Sequence, residues 1–194
     1  MLQVPLYLEL LNIEPEAEQA IEAIREASHR SGANLEAELC ALLSQDNWRP
    51  QLVGGTALVV LGGNESRLAA LWAALDRPCW VSPQLAVVAA LVDPAFESRA
   101  QERIHRRCAL DADHVLSMDW VRRHSAMGPG SITSGSNKLL SALMRLCERR
   151  PSASVWLTPY LEAEDIRQMI ASDVDHGGDI AERWLEGMLG LLKR

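Results

Sequence analysis

Apolar residues recur along this chain mostly at helical spacing, in segments that alternate between one-sided and almost wholly apolar. After a lead-in interrupted by Pro5, a helix is predicted from Glu14-Pro15-Glu16, with Ile13, Ala17, Ile21 and Ile24 on one face and glutamates opposite. Acid in its first turn suits the helix dipole, and Gly32 offers the left-handed residue that closes it. Asn34 stands as a cap for a second helix carrying a Leu35, Leu39, Leu42 stripe. The segment after Pro50 is different. Leu52, Val53, Ala57, Leu58, Val59, Val60 and Leu61 leave almost no polar face, the pattern of a helix buried on most sides or of a strand. Its length and proline-led start favour helix, and Gly54-Gly55 would let a neighbouring helix approach closely.

The pair then repeats. Leu35, Leu39 and Leu42 map onto Leu68, Trp72 and Leu75 at an offset of 33, and Pro50-Gln51-Leu52 maps onto Pro83-Gln84-Leu85 at the same offset. A tryptophan precedes the proline each time, in Trp48-Arg49-Pro50, Trp80-Val81-Ser82-Pro83 and again Trp156-Leu157-Thr158-Pro159, while Trp120 heads Val121-Arg122-Arg123 without one. Ser82 or Thr158 can cap a helix start, proline is tolerated in the first turn, and the indole would fill the corner between two helices.

Pro94 opens a further helix with Phe96, Ala100 and Ile104 inward and a basic end at Arg103, His105, Arg106 and Arg107. A short helical segment carries Val115, Leu116 and Met118 to Trp120, and there the pattern breaks. Arg122-Arg123-His124 and a Gly/Ser/Thr-rich loop at 125–137 replace an apolar helix. Lys138 to Arg149 resumes the helical stripe, Ile166, Met169 and Ile170 follow the third corner, and a last helix from Asp179 buries Ile180, Trp184, Leu185, Met188 and Leu192, with Asp179 and Glu182 at capping-box spacing. The expected fold class is all-α, one domain over 1–194: a lead-in over 1–33, degenerate helical hairpins over 34–175, and a C-terminal capping helix over 176–194.

Paired helices, a proline-led second helix and a period of about 33 to 40 residues resemble the HEAT and armadillo class of α-solenoids over roughly residues 34–175. The resemblance implies a stacked superhelix whose concave face or inter-repeat loops bind a partner.

A formal charge of −7 and a pI near 5.2 argue against a general binder of phosphate backbones and fit a chain that meets a basic partner. Cys40, Cys79, Cys108 and Cys147 are widely spread without a C-x-x-C pair, which reads as small core residues rather than a zinc or disulfide framework. The first residues carry Glu9 and no basic leader, and no apolar run reaches the ~18 residues of a membrane helix, so a cytoplasmic protein without membrane contact is expected.

Arg122, Arg123 and His124, with Ser131, Thr133, Ser134, Ser136 and Asn137, form the candidate binding set: free backbone, hydroxyl donors and a following helix start are a recipe for anion or partner capture. The plainer alternative is a connector in which Ser136 or Asn137 caps the next helix. A Walker A loop is excluded, because Gly135 is followed by Ser136-Asn137. Asp173-Val174-Asp175-His176-Gly177-Gly178-Asp179 imitates a calcium loop but has Trp184 where the closing glutamate belongs, so it reads as a polar turn. His105, Cys108, Asp111, Asp113, His114, Asp119 and His124 cluster without a ligand spacing, and no nucleophile elbow occurs. Most of the six tryptophans are expected in the core.

The function these features favour is a non-catalytic, cofactor-free protein-interaction module, of the kind of small bacterial immunity or adaptor proteins that bind a basic partner. Self-association is left open. The alternative is an enzyme: a HEAT-like DNA glycosylase, or a small-ligand or metal-dependent activity at 105–137.

Overall fold

The computed structural model describes residues 7–77, 79–110 and 129–193. Among them every regular element is helical: α1 (Glu9–Asn12), α2 (Ala17–Ser31), α3 (Leu35–Ser44), α4 (Trp48–Leu61), α5 (Glu65–Leu75), α6 (Ser82–Val92), α7 (Phe96–Leu110), α8 (Pro129–Glu148), α9 (Ser154–Glu162), α10 (Glu164–Ala171) and α11 (Gly177–Leu192). The apolar segment after Pro50, whose pattern also suited a strand, and its repeat after Pro83 are thus helices.

The sequence repeat is a repeat of packing. α3 lies against α4 and α5, α5 against α6, and α4 against α6, so one hairpin stacks on the next. Leu39 and its counterpart Trp72 are both buried, as are Leu42 and Leu75. α4 is buried continuously from Gln51 to Leu58 and α6 from Ser82 to Ala89, which is why neither carries a polar stripe. The glycine pair permits the approach: a Cβ on Gly54 would meet Leu42 Cβ at 3.1 Å, and one on Gly55 would meet Leu85 Cδ2 at 2.8 Å.

Caps follow the asparagines at two starts, where Asn47 accepts from the Arg49 amide and Asn64 from that of Arg67. Asn34 and Ser82 make no such bond; the Ser82 hydroxyl instead donates to the Cys79 carbonyl. Asp93 heads α7, accepting the Ala95 amide on one oxygen and the Trp72 indole N–H on the other. Arg103 lies over the Trp72 ring at 4.2 Å and forks onto Asp76.

Beyond α7 the register departs from the repeat. Pro159 lies inside α9 instead of heading a helix, and the Thr158 hydroxyl donates back to the Ser154 carbonyl. The reason is the turn at Pro151–Ala153, which starts the helix early and carries the third Trp-x-x-Pro past its first turn. α11 is no end cap. It packs along α8 and α6, burying Ala181, Trp184 and Met188, and the Trp184 indole donates to the Leu10 carbonyl, joining the last helix to the first. Its start is not a capping box either: the Asp173 carboxylate takes the Gly177 amide, and Asp179 lies inside the helix.

Candidate functional site

Because α4 stacks on α6, the tryptophan that begins α4 and the one just before α6 meet at one corner. The Trp48 and Trp80 rings are 6.4 Å apart, and Tyr7 packs edge-on against Trp48 at the same separation. Trp48 and Tyr7 are half-buried, whereas Trp80 is 67% exposed. The Arg49 guanidinium lies 4.8 Å from the Trp48 ring, and Lys138 Nζ lies 5.7 Å from that of Trp80.

The polar groups behind this ledge come from the repeated Pro-Gln-Leu. Gln51 donates to the Gln45 carbonyl at 2.6 Å and accepts the Cys79 thiol; Gln84 donates to the Leu11 carbonyl at 3.2 Å. Gln84 is 4% exposed, and its Oε1 has no partner among the described residues. Burial pushes the Cys79 thiol up, against opposing help from the Val81 amide and from Arg77 and Lys138. A protonated thiol already committed to Gln51 is a donor and not a nucleophile.

Lys138 is 2% exposed and reaches Asp175 at 3.5 Å. A buried ammonium needs such a partner, and the Trp80 ring adds to it. Asp175 belongs to the turn between α10 and α11, which also lifts Val174 to 75% exposure. In that turn Asp173 accepts the amides of Asp175 and Gly177, so the calcium-like string is a backbone-capping turn. Among the described residues no three His, Cys, Asp or Glu side chains gather as metal ligands would.

Of the sequence-derived binding set, Arg122, Arg123 and His124 lie outside the described residues. Ser131, Thr133, Ser134 and Ser136 belong to α8, their side chains outside the described ones; the stretch expected as loop is helical from Pro129. Proline suits a first turn, and a helix already nucleated on the stripe from Leu139 gains one bond per residue as it extends backward. Asn137 caps nothing: its amide donates to Ser172 Oγ at 3.0 Å, tying α8 to the end of α10. His105, of the acid–histidine cluster, pairs with Tyr160 at 2.7 Å. Asp111, Asp113, His114 and Asp119 lie outside the described residues, as does Trp120.

Sequence reasoning missed Lys138 and the exposure of Trp80. The available signal was the twice-repeated Trp followed by Pro-Gln, whose period places both indoles at equivalent corners. No family model matches the chain, and neither a curated protein nor a solved structure matches it.

Proposed function

We propose that the chain is a non-catalytic protein-interaction module, a cytoplasmic array of HEAT-like hairpins that captures a basic protein partner in the manner of an immunity or adaptor protein. One observation carries the reading: Trp80 stands 67% exposed at a corner where it packs against Trp48 and Lys138. A large exposed aromatic on a rigid support is the side chain that most often anchors an interface. Val174, on the turn whose Asp175 pairs with Lys138, is 75% exposed. The net charge of −7 and the exposed Glu14, Glu16, Glu22 and Glu26 along and before α2 favour a basic partner.

The test is affinity capture from native lysate with wild type, Trp80→Ala and alanine scans through 122–137. A basic protein should be retained by wild type and released as salt rises. Trp80→Ala should weaken capture by about thirtyfold, the loss of an anchor of ~2 kcal/mol. Equal recovery by wild type and a folded Trp80→Ala would remove the corner from the interface. Titration with duplex DNA at low salt separates this reading from a phosphate-backbone binder.

A further inference from the structure

A hollow of about 350 Å³ opens between α8, the α9–α10 segment and the first turn of α11. Met144, Leu161 and Ile170 form apolar walls, with Ala171 beside them. The charges around it do not balance. Arg145 is answered twice, by Glu148 at 3.3 Å and by Glu182 at 2.9 Å. The positive pole of α11 is answered by Asp173, which holds the Gly177 amide, while Ser141 holds that of Gly178. That leaves the exposed Asp179 carboxylate with no ion pair among the described residues.

We propose that this hollow takes a lysine or arginine side chain of a basic partner, its aliphatic stem along Met144, Leu161 and Ile170 and its cationic head at Asp179. Stems of these side chains pack on apolar walls while the charge stays at the wet rim, and the size suits a side chain with part of its neighbour. The inference rests on the reading of the chain as a binder of a basic protein, and the turn between α10 and α11 links the hollow to the corner described above. His176 and Asp173 line the hollow, and Asp175 between them in sequence pairs with Lys138, whose Nζ lies 5.7 Å from the Trp80 ring.

The full-length ¹⁵N-labelled protein is titrated with N-acetyl-arginine methylamide, N-acetyl-norleucine methylamide and N-acetyl-glutamate methylamide, reading the amide resonances of Ala171, Gly178 and Asp179. The arginine probe should give saturable shifts, with the norleucine probe about threefold weaker and the glutamate probe without effect. Asp179→Asn should reduce the arginine probe to the norleucine level. Ala171→Phe, at an exposed helix end, should abolish both while leaving the unfolding midpoint in place. Equal binding of arginine and norleucine, preference for glutamate, or no saturable shift would each overturn the proposal. Trp80→Ala should leave the small-probe titration unchanged. If the arginine probe fails while partner capture still requires Trp80, the hollow falls and the module stands; if the probe binds and no protein is captured, the module alone falls.

Discussion

Four glycines in α11 offer one substitution in four environments, and they test whether the last helix is seated as described. Alanine in a helix interior is favoured over glycine by ~1 kcal/mol before any contact is considered. Around Gly190 a new Cβ meets nothing within 4 Å, so Gly190→Ala should stabilise by up to that amount. At Gly187 the Cβ would come within 2.9 Å of Ile13 Cγ2 and 3.0 Å of its Cβ, and Ile13 is held at a φ of 55°. Overpacking there should cancel or slightly exceed the gain. At Gly178 it would lie 3.0 Å from Ser141 Oγ, which cannot swing away without losing the Gly178 amide it accepts. At Gly177 it would stand 2.2 Å from the Lys138 carbonyl oxygen, so the backbones of α8 and α11 must separate. The cost should reach ~3 kcal/mol, the upper end of overpacking. For a chain of this length that lowers the melting temperature by about 6–12 °C. Urea unfolding at constant m-value is the assay. If Gly177→Ala proves as stable as Gly190→Ala, α11 does not rest on Lys138, and the architecture around the candidate site is wrong.

Asp93→Ala removes the acceptor of the buried Trp72 indole and of the Ala95 amide and should destabilise by about 3 kcal/mol, with Asp93→Asn losing less; an unchanged urea midpoint in the alanine variant would show that the carboxylate is not the hub drawn above. Burial pushes the Cys147 thiol up to about 12, so alkylation at mildly alkaline pH should spare it in the native protein and modify it in urea, as mass spectrometry would read; labelling of native Cys147 as fast as the half-buried Cys40 would refute this. Hydrogen bonds from Ser152, then from Trp156, hold the Glu97 carboxyl below the usual glutamate value of about 4.3. A depressed acid contributes stability that is present above its unfolded value and lost as pH falls through the lower folded one. The acid-side slope of stability below about pH 4 should therefore be shallower in Glu97→Gln, and an identical slope would remove those bonds from the account.

What the sequence disclosed was whatever depends on period. Leu39 and Leu42 bury as read, as do Leu68, Trp72 and Leu75 in the image of the stripe, with Leu35 half-buried against them, because a helical face is fixed by spacing alone. The third corner misled because a proline's meaning depends on where its helix begins. The turn at Pro151–Ala153 set that start, and the local string around Trp156 does not contain it. Lys138 escaped notice for a different reason. Its burial is made by Gly177 from one distant segment and Trp80 from another, and no window along the chain holds all three. The loop expected through 125–137 rested on glycine and serine content, a preference that helix propagation overrides from Pro129 onward.

The tryptophans bring these strands together, since an indole has an apolar body and one N–H that a buried site must satisfy. Trp72 spends its N–H on Asp93, Trp184 on the Leu10 carbonyl and Trp156 on Glu97. Trp48 and Trp80 make no such bond among the described residues, and they are the pair that meets at the stacked corner. Had these two served only to fill the core, the fold would have had to supply acceptors as it does for the others. It supplies cations over their faces instead, Arg49 on one and Lys138 on the other, which orient the rings without closing them in. A ring held in place with its donor uncommitted is the arrangement the proposed interface calls on. That difference in how the indoles are satisfied separates Trp72, Trp156 and Trp184, whose N–H groups are spent inside the protein, from Trp48 and Trp80, on which the proposed interface rests.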